Sequence, residues 1–112
     1  MKTIDKPWGR EEIWAKTNSY VGKIIHINAN HRLSLQYHEF KEETIMVLNG
    51  TLRVWESDND RDFKDLKQGE VYHVEPKKIH RFGATTFNPV SIIEVSTPEL
   101  DDVVRLKDDY KR

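Results

Sequence analysis

No cysteine occurs in this chain. A disulfide framework is therefore excluded, which fits a reducing, cytoplasmic setting. Long hydrophobic runs are missing too: no stretch approaches the roughly 20 apolar residues of a membrane span, and the opening Met-Lys-Thr-Ile-Asp lacks the pattern of a signal peptide. Neither sign of charge dominates, because 18 basic against 19 acidic residues leave a formal charge of −1. Nothing in that balance draws the chain to nucleic acid or to a membrane surface. Also absent are internal repeats, low-complexity segments and any window with a sustained 3.6-residue period. With 112 residues, the chain reads as one domain spanning 1–112 with a single modest core. An N-terminal arm or strand is expected over 1–15, with turn residues at Lys6-Pro-Trp-Gly9 and a strand-like end, and a polar, solvated tail over 100–112.

What is present is centred on Leu33 to Gly50. Read as two strands joined by a short loop, this stretch places Gln36 and His38 on one face of the first strand, since side chains repeat every second residue. Glu43 opens the second strand. Asn49-Gly50 is a hairpin signal, and Thr51 to Trp55 follows as a further strand. An amide oxygen, an imidazole and a carboxylate thus converge; with a second imidazole they make a site for a first-row divalent metal with room for water or substrate. His80 is the candidate for that fourth group.

Other segments read the same way. Tyr20 to Ile27, Val71 to Val74, Ile79 to Phe82 and Val90 to Val95 are strand-like and are separated by Pro, Gly and Asn. Many short strands at this spacing indicate an antiparallel sandwich or barrel. Trp8 and Trp14 are expected to cover a mouth or flank, and Asp58-Asn59-Asp60 to form a polar loop tip. If Ser34, Gln36, His38, Glu43, Ile45 and Val47 look inward, then Leu33, Leu35, Tyr37, Met46 and Leu48 look outward. Such an apolar outer face predicts a homodimer.

The chain resembles the cupin family, an all-β, single-domain jelly-roll barrel or double-stranded β-helix. That family's first motif has two metal ligands one residue apart, a Glu five residues after the second, and a Gly seven residues later; Gln36, His38, Glu43 and Gly50 keep this spacing. Its second motif is matched at Gly69 and His80, with Glu75 where Pro is usual and Lys77 where Gly is usual. More narrowly, Lys6-Pro-Trp-Gly9, Leu33 to His38, His80-Arg-Phe82, Ile92 to Val95 and Asp102 to Tyr110 resemble the cupin domain that ends type II mannose-6-phosphate isomerases. Thr44 and Ala84 depart from that pattern, where His and Asn are usual.

The narrower resemblance implies a metal-dependent aldose-ketose isomerase of polysaccharide biosynthesis, acting on a phosphorylated hexose and converting mannose 6-phosphate to fructose 6-phosphate. The metal would be zinc, with cobalt, manganese, nickel or iron as alternatives, on Gln36, His38, Glu43 and His80. Moving a proton between C1 and C2 builds negative charge on a sugar oxygen, and a Lewis acid stabilises it. By the same similarity, Lys41 and Arg105 polarise the sugar or hold its phosphate; Arg offers a bidentate fork and Lys a point charge. Glu39, His73 and metal-bound water are all open as the general base.

Each assignment has a simpler competitor. The competitor for the ligand set is a hydrogen-bonded polar cluster in an empty barrel, with the metal site the reading its spacing and two independent blocks favour; for Arg105 it is a surface salt bridge, and for Lys41 a solvated lysine. At the level of the whole protein the alternatives are a nucleotide-sugar isomerase or epimerase, a dioxygenase, and a non-catalytic sugar-binding cupin.

Overall fold

Alternate burial along three seven-residue strands fixes which way the chain faces. Val90, Ile92, Glu94 and Ser96 are buried while Ser91, Ile93 and Val95 are not, and Glu43, Ile45 and Val47 alternate in the same way with Thr44, Met46 and Leu48. The computed structural model describes all 112 residues. It contains strands β1 (Lys2–Lys6), β2 (Gly9–Lys16), β3 (Val21–Ile27), β4 (Leu35–Tyr37), β5 (Glu43–Asn49), β6 (Leu52–Trp55), β7 (Phe63–Leu66), β8 (Val71–Val74), β9 (Arg81–Gly83), β10 (Val90–Ser96) and β11 (Val104–Lys107). No helix is present, hence none long and apolar enough to cross a membrane.

Six strands form one antiparallel sheet in the order β1-β2-β3-β10-β5-β8. Facing it are the pair β11-β4 and the trio β7-β6-β9, joined by bridges from Gln36 to His80 and from Arg32 to Gly83. Between the layers lies the core, with Trp8, Ile25, Ile27, Ile45, Val47, Leu52, Val54, Phe82 and Ile92 among its members. The result is the expected all-β jelly roll.

Several local expectations are corrected. Asn49-Gly50 makes no hairpin: β5 pairs with β10 and β8, whereas β6 pairs with β7 and β9. Gly50, at φ +91°, instead turns the chain from one sheet into the other, and a Cβ there would lie 2.6 Å from the Pro89 carbonyl oxygen. Likewise β4 does not pair with β5; its partner is β11. Leu35, expected to face outward, is 3% exposed, so both faces of β4 are covered.

The solvated tail is also corrected. Val104–Lys107 is a strand, Asp102 accepts backbone hydrogen bonds, Asp109 pairs with Arg32 at 2.7 Å, and Tyr110 packs against the core. Of the four aspartates, Asp101 alone among 101, 102, 108 and 109 has neither contact nor cap described for its side chain, and it is exposed. The arm over 1–15 is the β1-β2 hairpin, turning at Pro7-Trp8, with Trp8 buried. Trp14 lies against Gly22 at the flank and is 45% exposed.

Lys77 occupies φ +69°, the left-handed region, at the position where the resemblance expects glycine. Its amide donates to the His38 carbonyl at 2.6 Å while its side chain is exposed. Relief of that strain exceeds the added freedom of the unfolded chain by a small margin. Lys77→Gly is therefore expected to stabilise the fold by up to about 1 kcal/mol, read from the midpoint of urea unfolding at unchanged slope.

Candidate metal centre

The two layers deliver the site from opposite sides. His38 follows β4 and His80 precedes β9 in one layer, while Glu43 opens β5 in the other. His38, Glu43 and His80 are 3%, 3% and 0% exposed, and their ligand atoms all lie within 4.8 Å of one another. His38 Nε2 is 3.6 Å and His80 Nε2 3.2 Å from the same oxygen, Glu43 Oε1. Two ligands of a tetrahedral ion, each ~2.1 Å from it, are roughly 3.4 Å apart.

The far nitrogen of each ring is held by the backbone. His38 Nδ1 lies 2.6 Å from the Asp102 carbonyl oxygen and His80 Nδ1 2.9 Å from that of Lys78. A carbonyl only accepts, so each Nδ1 carries a hydrogen and each ring turns its other nitrogen, Nε2, toward Glu43. Both Nε2 atoms are buried without a hydrogen-bond partner. Unsatisfied buried polar atoms are costly, and a divalent cation is the group that satisfies two imidazoles and a carboxylate together. The donor set therefore fits a metal ion.

Gln36 stands beside this trio rather than inside it. Its backbone is bridged to His80, with N–H donated to the His80 carbonyl at 3.0 Å and the reverse bond at 2.9 Å. Its side-chain oxygen accepts from Ser34 Oγ at 2.7 Å. Its place as a fourth ligand stays a proposal.

Lys41 is no solvated lysine. It is 5% exposed, with Nζ 3.3 Å from Glu43 Oε2 and 3.3 Å from Glu94 Oε2. Burial acts to lower its pKa, yet Glu94 and Glu43 prevail and raise it. Burial would raise the Glu43 carboxyl, but the His38 and His80 rings against one oxygen and the charge of Lys41 against the other hold it well below the usual range. Glu94 goes the other way: burial, then the charge of Glu43, push it up to about 8 against the pull of Lys41. Next to it on the sheet, Lys23 is buried and pairs with Glu11 at 3.3 Å. The same alternation that buries Ile25 and Ile92 buries Lys23 and Glu94, and a charge at an apolar register is the sequence signal that would have marked both.

Beside the trio, between β2-β3 and β4-β11, is a cavity of about 110 Å³ bordered by Gln36, Ser34, Trp8 and Leu33. Lys6, Lys23, Lys41, Arg105 and Arg112 line it against one carboxylate, Glu11. Arg105 is exposed and opposite Gln36 in the β4-β11 pair; nearby Asp108 is engaged by Arg112 and Asp109 by Arg32. A groove of about 650 Å³ on the inner face of β1-β2 shares Lys6, Glu11, Lys23 and Leu100 with the cavity. Two base candidates are placed apart: His73 faces outward opposite Thr44 and binds Glu42 at 2.6 Å, and Glu39 is half-buried in the loop after His38.

A jelly roll that gathers two imidazoles and a carboxylate at these positions defines a cupin of the metal-binding type. Solved structures share this fold. KdgF from Halomonas sp. superposes with a TM-score of 0.76 at 17% identity, covering 90% of this chain and 91% of that one. A Klebsiella pneumoniae protein described as having a double-stranded β-helix domain gives 0.76 at 16% identity, covering 96% and 81%. Residues 1–108 match the family described as "Mannose-6-phosphate isomerase C-terminal", and the chain belongs to that family. Among curated relatives, the alginate biosynthesis protein AlgA of Pseudomonas aeruginosa is 30% identical over 97% of this chain, and the mannose-1-phosphate guanylyltransferase of Escherichia coli K12 is 31% identical over 99%. This chain spans 23% of the length of each.

The Glu94 environment has a measurable sign. Its carboxyl keeps a proton up to about pH 8 when folded and loses it near 4.5 when unfolded. Between those values the folded state binds more protons, so this group makes stability fall as pH rises. In metal-free protein, Glu94→Gln is expected to flatten the decline of Tm between pH 5 and 8, measured by calorimetry across that range.

Proposed function

We propose that this protein is a metal-dependent isomerase that interconverts mannose 6-phosphate and fructose 6-phosphate. One observation carries the reading: two unpartnered imidazole nitrogens and a carboxylate meet beside a small cavity in which five cationic side chains face one acid. An anionic, polyhydroxylated substrate suits that lining. Membership of the isomerase-type family and relatives named for mannose-1-phosphate chemistry support the choice of sugar.

A divalent ion held by His38, Glu43 and His80, with Gln36 as a fourth ligand, supplies Lewis-acid stabilisation of charge developing on a sugar oxygen. Zinc suits a set of imidazole, amide and carboxylate donors, and cobalt, manganese, nickel and iron are its alternatives. The chain's own residues do the rest. Arg105, exposed at the cavity edge, presents a planar fork to the phosphate. Lys41, clamped between Glu43 and Glu94, offsets the negative charge of the ligand carboxylate instead of travelling to the substrate. Leu33 and Trp8 close the cavity's apolar side and limit water at the reacting carbons. A cytoplasmic setting belongs to the same reading.

A second reading, a non-catalytic sugar-phosphate receptor, is favoured by one feature: His73 is turned to the outer face, and Lys41 and Glu94 are engaged with each other. The discriminating experiment is a coupled assay for fructose 6-phosphate with chelator-stripped protein given zinc, cobalt and manganese in turn. His38→Ala and His80→Ala are expected to abolish turnover with the fold retained, and Arg105→Ala to raise KM roughly 10- to 100-fold with a smaller change in kcat. Binding of mannose 6-phosphate with no turnover under any metal selects the receptor.

We also infer that the outer face of the six-stranded sheet binds a second copy of the chain. Trp14, Met46, Val71 and Val95 are 45%, 38%, 58% and 52% exposed there, while its histidines are already paired, His26 with Glu12 and His73 with Glu42. Six strands ~4.8 Å apart and about 3.4 Å per residue make this face at most roughly 24 Å square, about 580 Å² in plan, which suits the smaller class of homodimer interface, below the ~800 Å² per partner of the standard one. Val71→Asp with Val95→Asp is expected to shift the protein from dimer to monomer in sedimentation equilibrium; a wild-type monomer at micromolar concentration sinks the idea.

A further inference from the structure

The loop that carries His38 into Glu43 has little apolar anchorage: Glu39 is half-buried, and Phe40 and Glu42 are exposed. Its position is set from elsewhere. The carboxylate of Asp102 accepts the amides of three successive residues, Glu39 at 3.1 Å, Phe40 at 2.7 Å and Lys41 at 2.9 Å. The backbone carbonyl of the same Asp102 takes the His38 Nδ1 hydrogen at 2.6 Å. Thr97 adds a separate clasp to the next residue: its Oγ1 accepts from the Glu42 amide at 3.0 Å and its own amide donates to the Glu42 carbonyl at 3.0 Å. Beyond Asp102 the chain enters β11, which pairs with β4 through Val104 and Tyr37 and through Arg105 and Gln36. One residue thereby ties the C-terminal strand to all three backbone amides from Glu39 to Lys41.

We propose that Asp102 is the positioning residue of the metal centre: its side chain gathers the 39–41 amides, and its carbonyl is thereby held where it fixes the His38 ring. The proposal rests on the metal reading for its consequence, and on the Asp102 contacts alone for its geometry. A carboxylate accepting several N–H groups organises a loop more strongly than a neutral acceptor does. Partners of the non-ligating nitrogen in metal-binding histidines tune affinity about 10- to 100-fold. Asp102 touches no substrate on this account; it acts through His38 and the loop.

The test compares Asp102→Ala, Asp102→Asn and Thr97→Val with the unsubstituted full chain. Three measurements are made: cobalt affinity by chelator competition, the visible absorption of the cobalt-loaded protein, and, on metal-free protein, the imidazole ¹⁵N pattern of His38 with amide exchange at 39–41. Asp102→Ala is expected to lose 10- to 100-fold in cobalt affinity, to shift the cobalt bands, to mix the two His38 tautomers, and to speed exchange at Glu39, Phe40 and Lys41 while amides of the β3-β10 pair keep their rates. Asp102→Asn, which keeps one acceptor oxygen, recovers part of each effect, and it carries the comparison if the alanine variant does not fold. Thr97→Val, which loosens the same segment without touching Asp102, keeps wild-type affinity and a single tautomer. Wild-type tautomer and exchange in both Asp102 variants overturns the proposal, as does an equal loss in Thr97→Val. Failure of the unsubstituted protein to hold cobalt overturns the metal reading instead, and the metal-free measurements then decide the role of Asp102.

Discussion

The rest of this structure depends on one buried negative charge. Glu43 sits almost fully out of water, where an isolated carboxylate is not tolerated; the Lys41 ammonium lies 3.3 Å from one of its oxygens, and two imidazoles converge on the other. Each of those partners in turn needs fixing. His38 and His80 are oriented by backbone carbonyls, and Lys41 is shared with Glu94. Replacing any one member leaves the others uncompensated in a low dielectric, so the cluster behaves as a unit and not as a set of separable contacts.

That unit also explains why the fold is a two-layer barrel and not a simple meander. The ligands come from both layers: His38 and His80, beside β4 and β9 and joined through the Gln36–His80 bridge, lie in one, and Glu43 of β5 in the other. They meet only because the two layers face across a core about one side-chain pair thick. Ile45 and Val47 continue the register of Glu43 into that core, and Phe82 packs against the His80 ring at 5.3 Å between centroids. Apolar packing thus sets the geometry of polar groups a few residues along the same strand.

Much of this was legible in the residues. Runs rich in Val and Ile announced β5 and β10 as strands, and the cupin-like spacing of Gln36, His38 and Glu43, with His80 in a second block, singled out the candidate ligands. Pairing was not legible. Asn49-Gly50 is a local signal, while the partner of β5 is chosen by β10, more than forty residues later in the chain, which inserts between β3 and β5. Two polar edge strands were missed for a related reason: half the residues of β7 and of β11 are charged, and both strands owe their structure to the neighbour they pair with. Lys23, Glu94 and Asp102 escaped notice because their roles are relational. A lysine within a β-branched run looks like an exposed position until an opposing acid is found at the same depth.

The placement of β10 bears on how the protein is made. Val90–Ser96 is the central member of its sheet, hydrogen-bonded on one side to Val21–Ile27 and on the other to Glu43–Asn49. During synthesis, β1 to β9 emerge before the strand that joins β3 to β5 exists, and closure of such long-range pairs is slow relative to local structure. All three candidate ligands are therefore translated while their barrel still has a gap, and a nascent chain in that state exposes two unpaired sheet edges to its surroundings.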